Sequence, residues 1–324
     1  TPPPLLVPDR LCLARATLTQ WRKAATSFSK FTSTSLDGIH PRHWGMLSDP
    51  ALACLSVVVE IVEKMGAFPP QLQYLLFPML FKPNGGLRAV LLCASLPRLW
   101  QRLRRDHFAQ FLRDTMRPYW AQAKGRSLEG VVWLQTVRAE VAGAAGGHSA
   151  FFMLDARSFY ESFNLEKLRL RMLDLGAPPV LVKVSYNLWH APRVLRLLGN
   201  VSHQALHATA GLPAGEIFND ICVRAYTLRC WGSFLRVHPG LTLATCVDDV
   251  ALGAHGSAQQ VEDLVAAGAR DLEYDLHHQL EARPAWEKLA IVASTPALTV
   301  KLQARLGALA GPAAAGSAKA PHPV

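Results

Sequence analysis

The sequence predicts an α+β fold with a largely antiparallel sheet. Three observations lead to this prediction: several segments carry apolar residues at helical spacing, short apolar runs bounded by Gly, Pro or Asp are typical of strands, and the two kinds of segment do not alternate regularly. The runs at 74–81 and 89–93 flank a turn containing Pro and Gly, which predicts a β-hairpin. The run at 241–252 predicts a second hairpin.

The predicted helices are the segments whose apolar residues lie three and four positions apart. They cover residues 11–30, 47–65, 97–115, 127–145, 165–175, 179–189, 216–231 and 258–280. Further strands are predicted at 151–154, 193–198, 204–208 and 289–293. Residues 1–10 are rich in Pro and are expected to be extended, and the Ala, Gly and Pro content near the end of the chain predicts a disordered tail.

The composition favours an intracellular protein with a polyanionic partner. The chain carries 34 Lys and Arg against 24 Asp and Glu, a formal net charge of +10, which favours binding to nucleic acid. The six cysteines show no Cys-x-x-Cys spacing, so we expect reduced core residues and not a zinc site. No apolar run reaches the roughly 18 residues that a membrane span needs, so no membrane partner is expected.

Two adjacent aspartates, Asp248 and Asp249, interrupt the apolar run of the second hairpin. Carboxylates in a buried hairpin cost free energy unless a cation or another partner compensates them. Asp155 closes the apolar run 151–154, so two strands are expected to bring carboxylates to one place. Such a set suits two-metal phosphoryl transfer with Mg²⁺. Because successive strand residues face opposite sides of a sheet, Asp249 is expected to act either as a ligand or through the turn geometry.

Several motifs, taken in order, resemble those of the reverse transcriptase family over roughly residues 33–295. They are the loop at 34–43, the hairpin at 82–88, the segment Asp155-Ala-Arg-Ser-Phe-Tyr-Glu161, the loop Gly211-Leu-Pro-Ala-Gly215, the box Cys246-Val-Asp-Asp249, and Lys288. The style of these segments resembles non-viral retrotransposon elements of a kind found in protists. The resemblance implies an RNA-directed DNA polymerase whose partners are an RNA template, a DNA primer and deoxynucleoside triphosphates.

The resemblance also implies a role for each matched residue. Asp155, Asp248 and Asp249 would be catalytic and would bind two Mg²⁺ ions, with Mn²⁺ as a substitute. The incoming nucleotide would be held by Lys82, Arg88, Tyr160, Gly211, Gly215 and Lys288. An aromatic residue at the position of Tyr160 would exclude a ribose 2′-hydroxyl, which disfavours an RNA-directed RNA polymerase on the same fold.

The architecture implied by the resemblance is a right-hand polymerase with palm and fingers, the thumb being missing or truncated in this segment. We expect an N-terminal helical extension at 1–32, fingers and connecting helices at 33–150, a palm with the catalytic aspartates at 151–295, and the disordered tail at 296–324. A basic cluster beside Trp100 is expected either to bind nucleic acid through phosphate contacts or to be a solvated helix face. Its members are Arg98, Arg102, Arg104 and Arg105.

Each motif also has a purely structural interpretation. Asp155 could be a helix N-cap, Lys82 and Arg88 solvated hairpin charges, and Gly211 and Gly215 turn residues. The chain also departs from the family pattern, because Cys246 replaces an aromatic residue and Ala214 and Glu216 replace a glutamine and a small residue. The alternative hypothesis is therefore a catalytically silent, nucleic-acid-binding remnant of the same fold.

Overall fold

The computed structural model describes residues 13–83, 85–121 and 125–310. The Pro-rich segment predicted at 1–10 lies outside the described residues, as do residues 311–324 of the predicted tail. The α-helices are α1 (Leu18–Thr26), α2 (Asp49–Met65), α3 (Pro70–Gln73), α4 (Ser95–Arg104), α5 (Ala109–Asp114), α6 (Leu128–Ala144), α7 (Leu165–Asp174), α8 (Pro179–Trp189), α9 (Asn219–Val237), α10 (Ala258–His278) and α11 (Pro296–Ala310). None of the described helices is both long and apolar enough to cross a membrane.

The strands form two sheets. They are β1 (Leu75–Phe81), β2 (Leu87–Ala89), β3 (His148–Arg157), β4 (Arg193–Leu197), β5 (Asn200–Val201), β6 (Leu241–Cys246), β7 (Asp249–Gly256), β8 (Arg283–Pro284) and β9 (Ala290–Ala293). Most neighbouring strands run antiparallel, with the pair β1 and β4 parallel. The predicted α+β class with a largely antiparallel sheet is confirmed.

The chain divides into two compact units, each built from two separated stretches. The first unit comprises residues up to Thr115 together with Phe163–Tyr226. The second comprises Met116–Ser162 together with residues from Thr227 onward. The contiguous division predicted at residues 32, 150 and 295 stays a prediction.

The first unit contains the sheet with strand order β2-β1-β4-β5. Its apolar core includes Leu75 and Phe77 of β1 packed with Leu188 near the end of α8. Helix α4 buries Trp100, whose ring meets the edge of Phe68 at a centroid distance of 5.6 Å. The strand predicted at 204–208 is wrong: the partner of β4 is the two-residue strand β5, and at 204–208 the structure has a single bridge between Leu206 and Arg193.

The second unit contains the sheet with order β6-β7-β3-β8, in which β9 also pairs with β3. Strand β3 lies between β7 and β9, and Phe152 at its centre is fully buried. Helix α10 covers this sheet; Ser257 caps its first turn by accepting a hydrogen bond from the backbone nitrogen of Gln260. Val265 and Leu272 of α10 are fully buried, as expected for the apolar face of an amphipathic helix.

The disordered tail predicted at 296–324 is wrong for its first half. Residues Pro296–Ala310 form α11, which packs against α10. Leu298, Leu302 and Leu306 lie four positions apart and are buried. This spacing supplies the apolar stripe that stabilises a helix against a neighbour, and the high Ala and Gly content of the segment obscures it in the sequence.

Candidate active site

Strand β3 and the hairpin β6–β7 bring the three predicted aspartates together in the second unit. Asp155 of β3 is the direct cross-strand partner of Asp249 at the start of β7. Residues opposite each other in an antiparallel pair project from the same face of the sheet, so these two side chains share a face. Asp248 precedes Asp249 in the two-residue turn that joins β6 to β7. Because Asp155 lies within β3, the interpretation of Asp155 as a helix N-cap is wrong.

The turn that carries Asp248 has a strained backbone. Val247, its other residue, has φ +59°, in the left-handed region that β-branched residues avoid. Ser158, three residues after Asp155, has φ +50°. The backbone nitrogen of Ala156 donates to the carbonyl oxygen of Asp248 at 3.0 Å, which ties the turn to the end of β3. Strain of this kind costs about 1–3 kcal/mol and is concentrated at functional sites.

The two carboxylate oxygens of Asp155 have different surroundings. Oδ2 accepts a hydrogen bond from Nζ of Lys288, which lies in a short 3₁₀ turn before β9. Oδ1 is buried and has no hydrogen-bond partner among the described residues. The Asp155 side chain is 13% exposed and that of Lys288 is 60% exposed, so the ammonium reaches the carboxylate from the solvent side.

Burial and mutual repulsion shift the titration of this cluster. Burial raises the pKa of Asp248 to about 6, and the nearby Asp155 and Asp249 carboxylates contribute to the rise. The pKa of Asp249 is also raised, first by burial and then by Asp155, while Lys288 opposes the rise. The hydrogen bond to Asp155 raises the pKa of Lys288. The cluster therefore concentrates negative charge, which a bound cation would stabilise.

The donor atoms of the cluster are of the kind that Mg²⁺ prefers, the ion implied by the sequence resemblance. The unpartnered Oδ1 of Asp155 is a hard oxygen donor, and the Asp248 carboxylate lies beside it. Mg²⁺ is commonly held by one or two carboxylates with water and substrate phosphates completing the coordination. Among the described residues no group of three His, Cys, Asp or Glu is arranged to hold one ion, so Asp249 as a third ligand stays a prediction.

The remaining predicted residues of the second unit are Tyr160 and Lys288. Tyr160 begins a 3₁₀ turn shortly after β3 and is half-buried, with its ring centroid 6.1 Å from that of Phe159. Lys288 contacts Asp155 directly. Its predicted role in nucleotide binding stays a prediction, and the structure adds an ion pair that the sequence does not indicate.

The other predicted nucleotide ligands lie in the first unit. Lys82 and Arg88 flank the turn of the β1–β2 hairpin, and both are exposed. The backbone nitrogen of Lys82 donates to Gly86 at 3.1 Å, and Arg88 pairs with Leu80 in the strand register. Neither side chain has an ion-pair partner among the described residues, so both ammonium and guanidinium remain accessible to an anion.

The loop from Gly211 to Gly215 has two positions that require glycine. Gly211 has φ +90° and Gly215 has φ +109°, and a Cβ on Gly215 would lie 3.2 Å from the carbonyl oxygen of Leu91. The backbone nitrogen of Leu91 donates to Ala214 at 2.7 Å, which fixes the loop against the segment after β2. Both glycines are therefore turn residues, and this structural role is compatible with the predicted role of the loop in nucleotide binding.

Glu216, directly after this loop, is buried and anchors it. Its two carboxyl oxygens accept hydrogen bonds from Nε2 of Gln101 at 2.5 Å and Nε1 of Trp189 at 2.6 Å. Oε1 of Gln101 in turn accepts from the backbone nitrogen of Ile217. Burial raises the pKa of Glu216 to about 8, so this carboxyl is largely protonated at neutral pH. The sequence marks Glu216 as a departure from the reverse transcriptase pattern, but no local signal indicates partners this distant in the chain.

The predicted arginine cluster is only partly a surface feature. Arg104 is buried and pairs with Glu63, Nε to Oε1 at 2.6 Å. Arg105 pairs with Asp220 at 2.7 Å. The guanidinium groups of Arg98 and Arg102 lie over the ring of Phe28, at 5.6 and 5.0 Å from its centroid. A phosphate contact by Arg104 would require breaking this buried ion pair, and the predicted role of Arg104 in nucleic-acid binding stays a prediction.

Comparison with known proteins identifies the fold. No protein-family model matches the chain, and no curated protein matches it. A structure of apo telomerase from Candida tropicalis, truncated from its C-terminal domain, superposes with a TM-score of 0.52 at 12% identity, covering 70% of this chain and 51% of that chain. Telomerase from Candida tropicalis in complex with a TWJ fragment of telomeric RNA superposes with a TM-score of 0.54 at 10% identity, covering 69% and 41%.

These neighbours show a reverse-transcriptase-like, right-hand polymerase fold, which confirms the predicted fold class. The chain spans about half or less of the length of the telomerase structures that it matches.

Proposed function

We propose that this chain carries out template-directed nucleotidyl transfer as an RNA-directed DNA polymerase. One observation carries the proposal: on a right-hand polymerase fold, β3 and the turn of the β6–β7 hairpin hold Asp155 and Asp248 side by side, and Oδ1 of Asp155 is buried without a partner among the described residues. A buried anionic oxygen without a partner costs free energy. A cation bound for the reaction would compensate that charge.

In this reaction the primer 3′-hydroxyl loses its proton to water, its oxygen forms a bond to the α-phosphorus of a deoxynucleoside triphosphate, and the bond from that phosphorus to pyrophosphate breaks. Two Mg²⁺ ions, when bound, would stabilise the attacking and leaving oxygens. Asp155 and Asp248 would hold them, and Lys288 would exchange its hydrogen bond with Asp155 for one to an anion. Because the pKa of Asp248 is about 6, its carboxylate is largely ionised at neutral pH.

The other assignments complete the proposal. Lys82 and Arg88 are exposed, and they would neutralise the triphosphate; arginine suits bidentate phosphate contact. Tyr160 would exclude the ribose 2′-hydroxyl. RNA is the proposed template, in line with a neighbour described in complex with a telomeric RNA fragment. The motif series supports an origin in a non-viral retrotransposon element.

Primer extension on an RNA template tests the proposal. The purified chain is given a DNA primer, Mg²⁺ and deoxynucleotides, beside the variant Asp248→Asn. The matched control is Asp263→Asn, which changes an exposed aspartate of α10 that pairs with Arg305. We expect extension by the wild type and the control and its loss in Asp248→Asn. Equal extension by both variants would contradict the assignment of Asp248.

A second candidate is a nucleic-acid-binding remnant that no longer catalyses. The ion pair between Lys288 and Asp155 favours it, because Lys288 occupies an oxygen that a cation would use. Cys246, opposite Asp249 in the hairpin, also departs from the family pattern. Binding of primer-template without extension, by wild type and Asp248→Asn alike, would establish this candidate in place of the first.

A further inference from the structure

A large cavity lies in the second unit, on the side of β6 that faces α6. Its volume is about 700 Å³, within the range of pockets that hold organic ligands. Its walls come from the first half of α6, the segment before α6, the start of β6 and one face of α9. The segment before α6 is fixed to β6, because the backbone nitrogen of Thr245 donates to Tyr119 at 2.8 Å.

The polar wall of this cavity is cationic. Arg117, Arg126 and Arg138 line it, and no Asp or Glu is among its described lining residues. Arg126 donates to the carbonyl oxygen of Pro118, which leaves its positive charge in place. Arg138 is exposed on α6 and has no ion-pair partner within the described part of the chain. The positive end of α6, where Ser127 caps Gly130 at 3.0 Å, opens onto the same space.

The remaining wall is apolar. It is formed by Val131, Leu134, Leu235, Leu241 and Leu243, together with Tyr119. Apolar surface beside arginines suits a single-stranded nucleic acid, with phosphates at the cations and bases against the apolar side chains. A purely anionic ligand such as inorganic phosphate would leave this apolar surface uncovered.

The cavity continues toward the aspartates. A second cavity of about 290 Å³ shares Val131, Gln135 and Ala244 with the first. Asp249 stands in the wall of this second cavity. The two cavities therefore form one groove beneath α6, which we call the arginine groove, with arginines at one end and a carboxylate of the candidate active site at the other.

We propose that the arginine groove binds a segment of single-stranded nucleic acid, with phosphates at Arg126 and Arg138 and bases against the apolar wall. The volume of the groove favours a strand over a single nucleotide, because its larger cavity alone, about 700 Å³, exceeds the space that one nucleotide needs. The proposal concerns binding and does not depend on the polymerase reaction.

Fluorescence anisotropy with a labelled eight-nucleotide uridine oligomer tests the proposal on the full chain. The test variant is Arg126→Gln/Arg138→Gln. The control Arg236→Gln/Arg270→Gln removes the same charge from residues of the second unit that do not line the groove. Affinity is measured across a series of salt concentrations, since each phosphate contact to a single strand contributes a slope of about 0.7 in log K against log salt.

We expect the test variant to lose about tenfold in affinity and about 1.4 in the salt slope, the contribution of two phosphate contacts. The control variant should lose less than about threefold in affinity, because it weakens only the long-range attraction between the positive charge of the chain and the oligomer. Both test residues are exposed, so folding should be retained, and a circular-dichroism melt of the double variant checks this. The single variant Arg138→Gln keeps the hydrogen bond of Arg126 to Pro118 and serves as the second test variant. Equal losses in test and control variants would overturn the proposal.

Two further measurements distinguish a strand site from a nucleotide pocket and separate binding from catalysis. Uridine monophosphate that displaces the oligomer as effectively as unlabelled oligomer would overturn a strand site in favour of a nucleotide pocket. Asp248→Asn should bind the oligomer as the wild type does. A chain that binds in this way but extends no primer would refute the proposed catalysis and leave the arginine groove supported.

Discussion

Nζ of Lys288 donates a hydrogen bond to Oδ2 of Asp155, while Oδ1 of the same carboxylate is buried without a partner among the described residues. One oxygen is thus compensated by the protein and the other is available to a cation. In the absence of a cation, Lys288 is the main source of positive charge at Asp155, and a bound cation would replace part of that role.

Replacing Lys288 by Met should therefore make stability depend on divalent cations. Without them, we expect the free energy of unfolding to fall by about 1 kcal/mol, a value kept small because Lys288 is largely exposed. Mn²⁺ should restore more stability to the variant than to the wild type. Urea denaturation with and without Mn²⁺ measures both effects, with Lys301→Met on α11 as the control. A variant as stable as the control and indifferent to Mn²⁺ would contradict this account.

Replacing Val247 by Gly should stabilise the fold. Val247 has φ +59°, where glycine carries no steric penalty, so relief of strain should raise the free energy of unfolding by about 1 kcal/mol. The control Val292→Gly removes an exposed valine from β9 and should lower stability by a similar amount. Thermal melts decide between the outcomes, and a drop in Tm for both variants would show that the turn is not strained.

Glu216 should make stability fall as pH rises. Its pKa is about 8 in the folded protein against 4.5 for a free glutamate, so between these values the unfolded chain releases a proton that the folded chain keeps. The stabilising contribution is therefore fully present below about pH 4.5 and is lost as pH rises to about 8, by up to about 1.4 kcal/mol per pH unit.

The variant Glu216→Gln cannot ionise and should lack this part of the pH dependence. We expect the variant to gain stability relative to the wild type at pH 8 and to lose that advantage at pH 5. Urea denaturation across this range measures the difference between the two proteins, which cancels the contribution of the other titrating groups. Parallel pH profiles would show that Glu216 is not the buried titrating group.

Arg104 and Arg102 should differ sharply on substitution. Arg104→Gln leaves the buried Glu63 carboxylate without its charge partner and should destabilise the fold by about 3–5 kcal/mol. Arg102→Gln removes an exposed guanidinium that lies 5.0 Å from the ring centroid of Phe28 and should cost less than about 1 kcal/mol. Chemical denaturation provides the comparison. A similarly small loss of stability in both variants would contradict a buried ion pair between Arg104 and Glu63.

The sequence predicts elements well where one local signal decides them. Helix α8 follows from an apolar repeat bounded by Pro179, and the β6–β7 hairpin follows from its apolar run. Helix α11 was missed because its stability comes from packing Leu302 against α10, which small residues nearby obscure. The predicted partner strand of β4 at 204–208 does not coincide with β5, because a strand of two residues is too short to show a pattern of alternating apolar residues.

For the candidate site, the sequence supplied the carboxylates but not their partners. Asp155 and Asp248 stand out because charge in an apolar run is costly. The ion pair of Lys288 with Asp155 depends on a contact across 133 positions of the chain, and the anchoring of Glu216 by Gln101 across 115, which no local spacing reveals. The strain at Val247 is likewise a property of the closed turn and not of its residue types.

The central position of β3 decides when the site can form during synthesis. Its partner β7 emerges from the ribosome about a hundred residues later, and β9 later still. Phe152 and Leu154, which are buried in the folded protein, therefore remain exposed to solvent while the intervening chain is made. Pairings this distant in the chain are slow to form and leave strand edges open to association. Asp155 therefore cannot meet Asp249 until the chain has been made beyond residue 249, and a nascent chain interrupted before that point would hold an unpaired, aggregation-prone strand and no candidate active site.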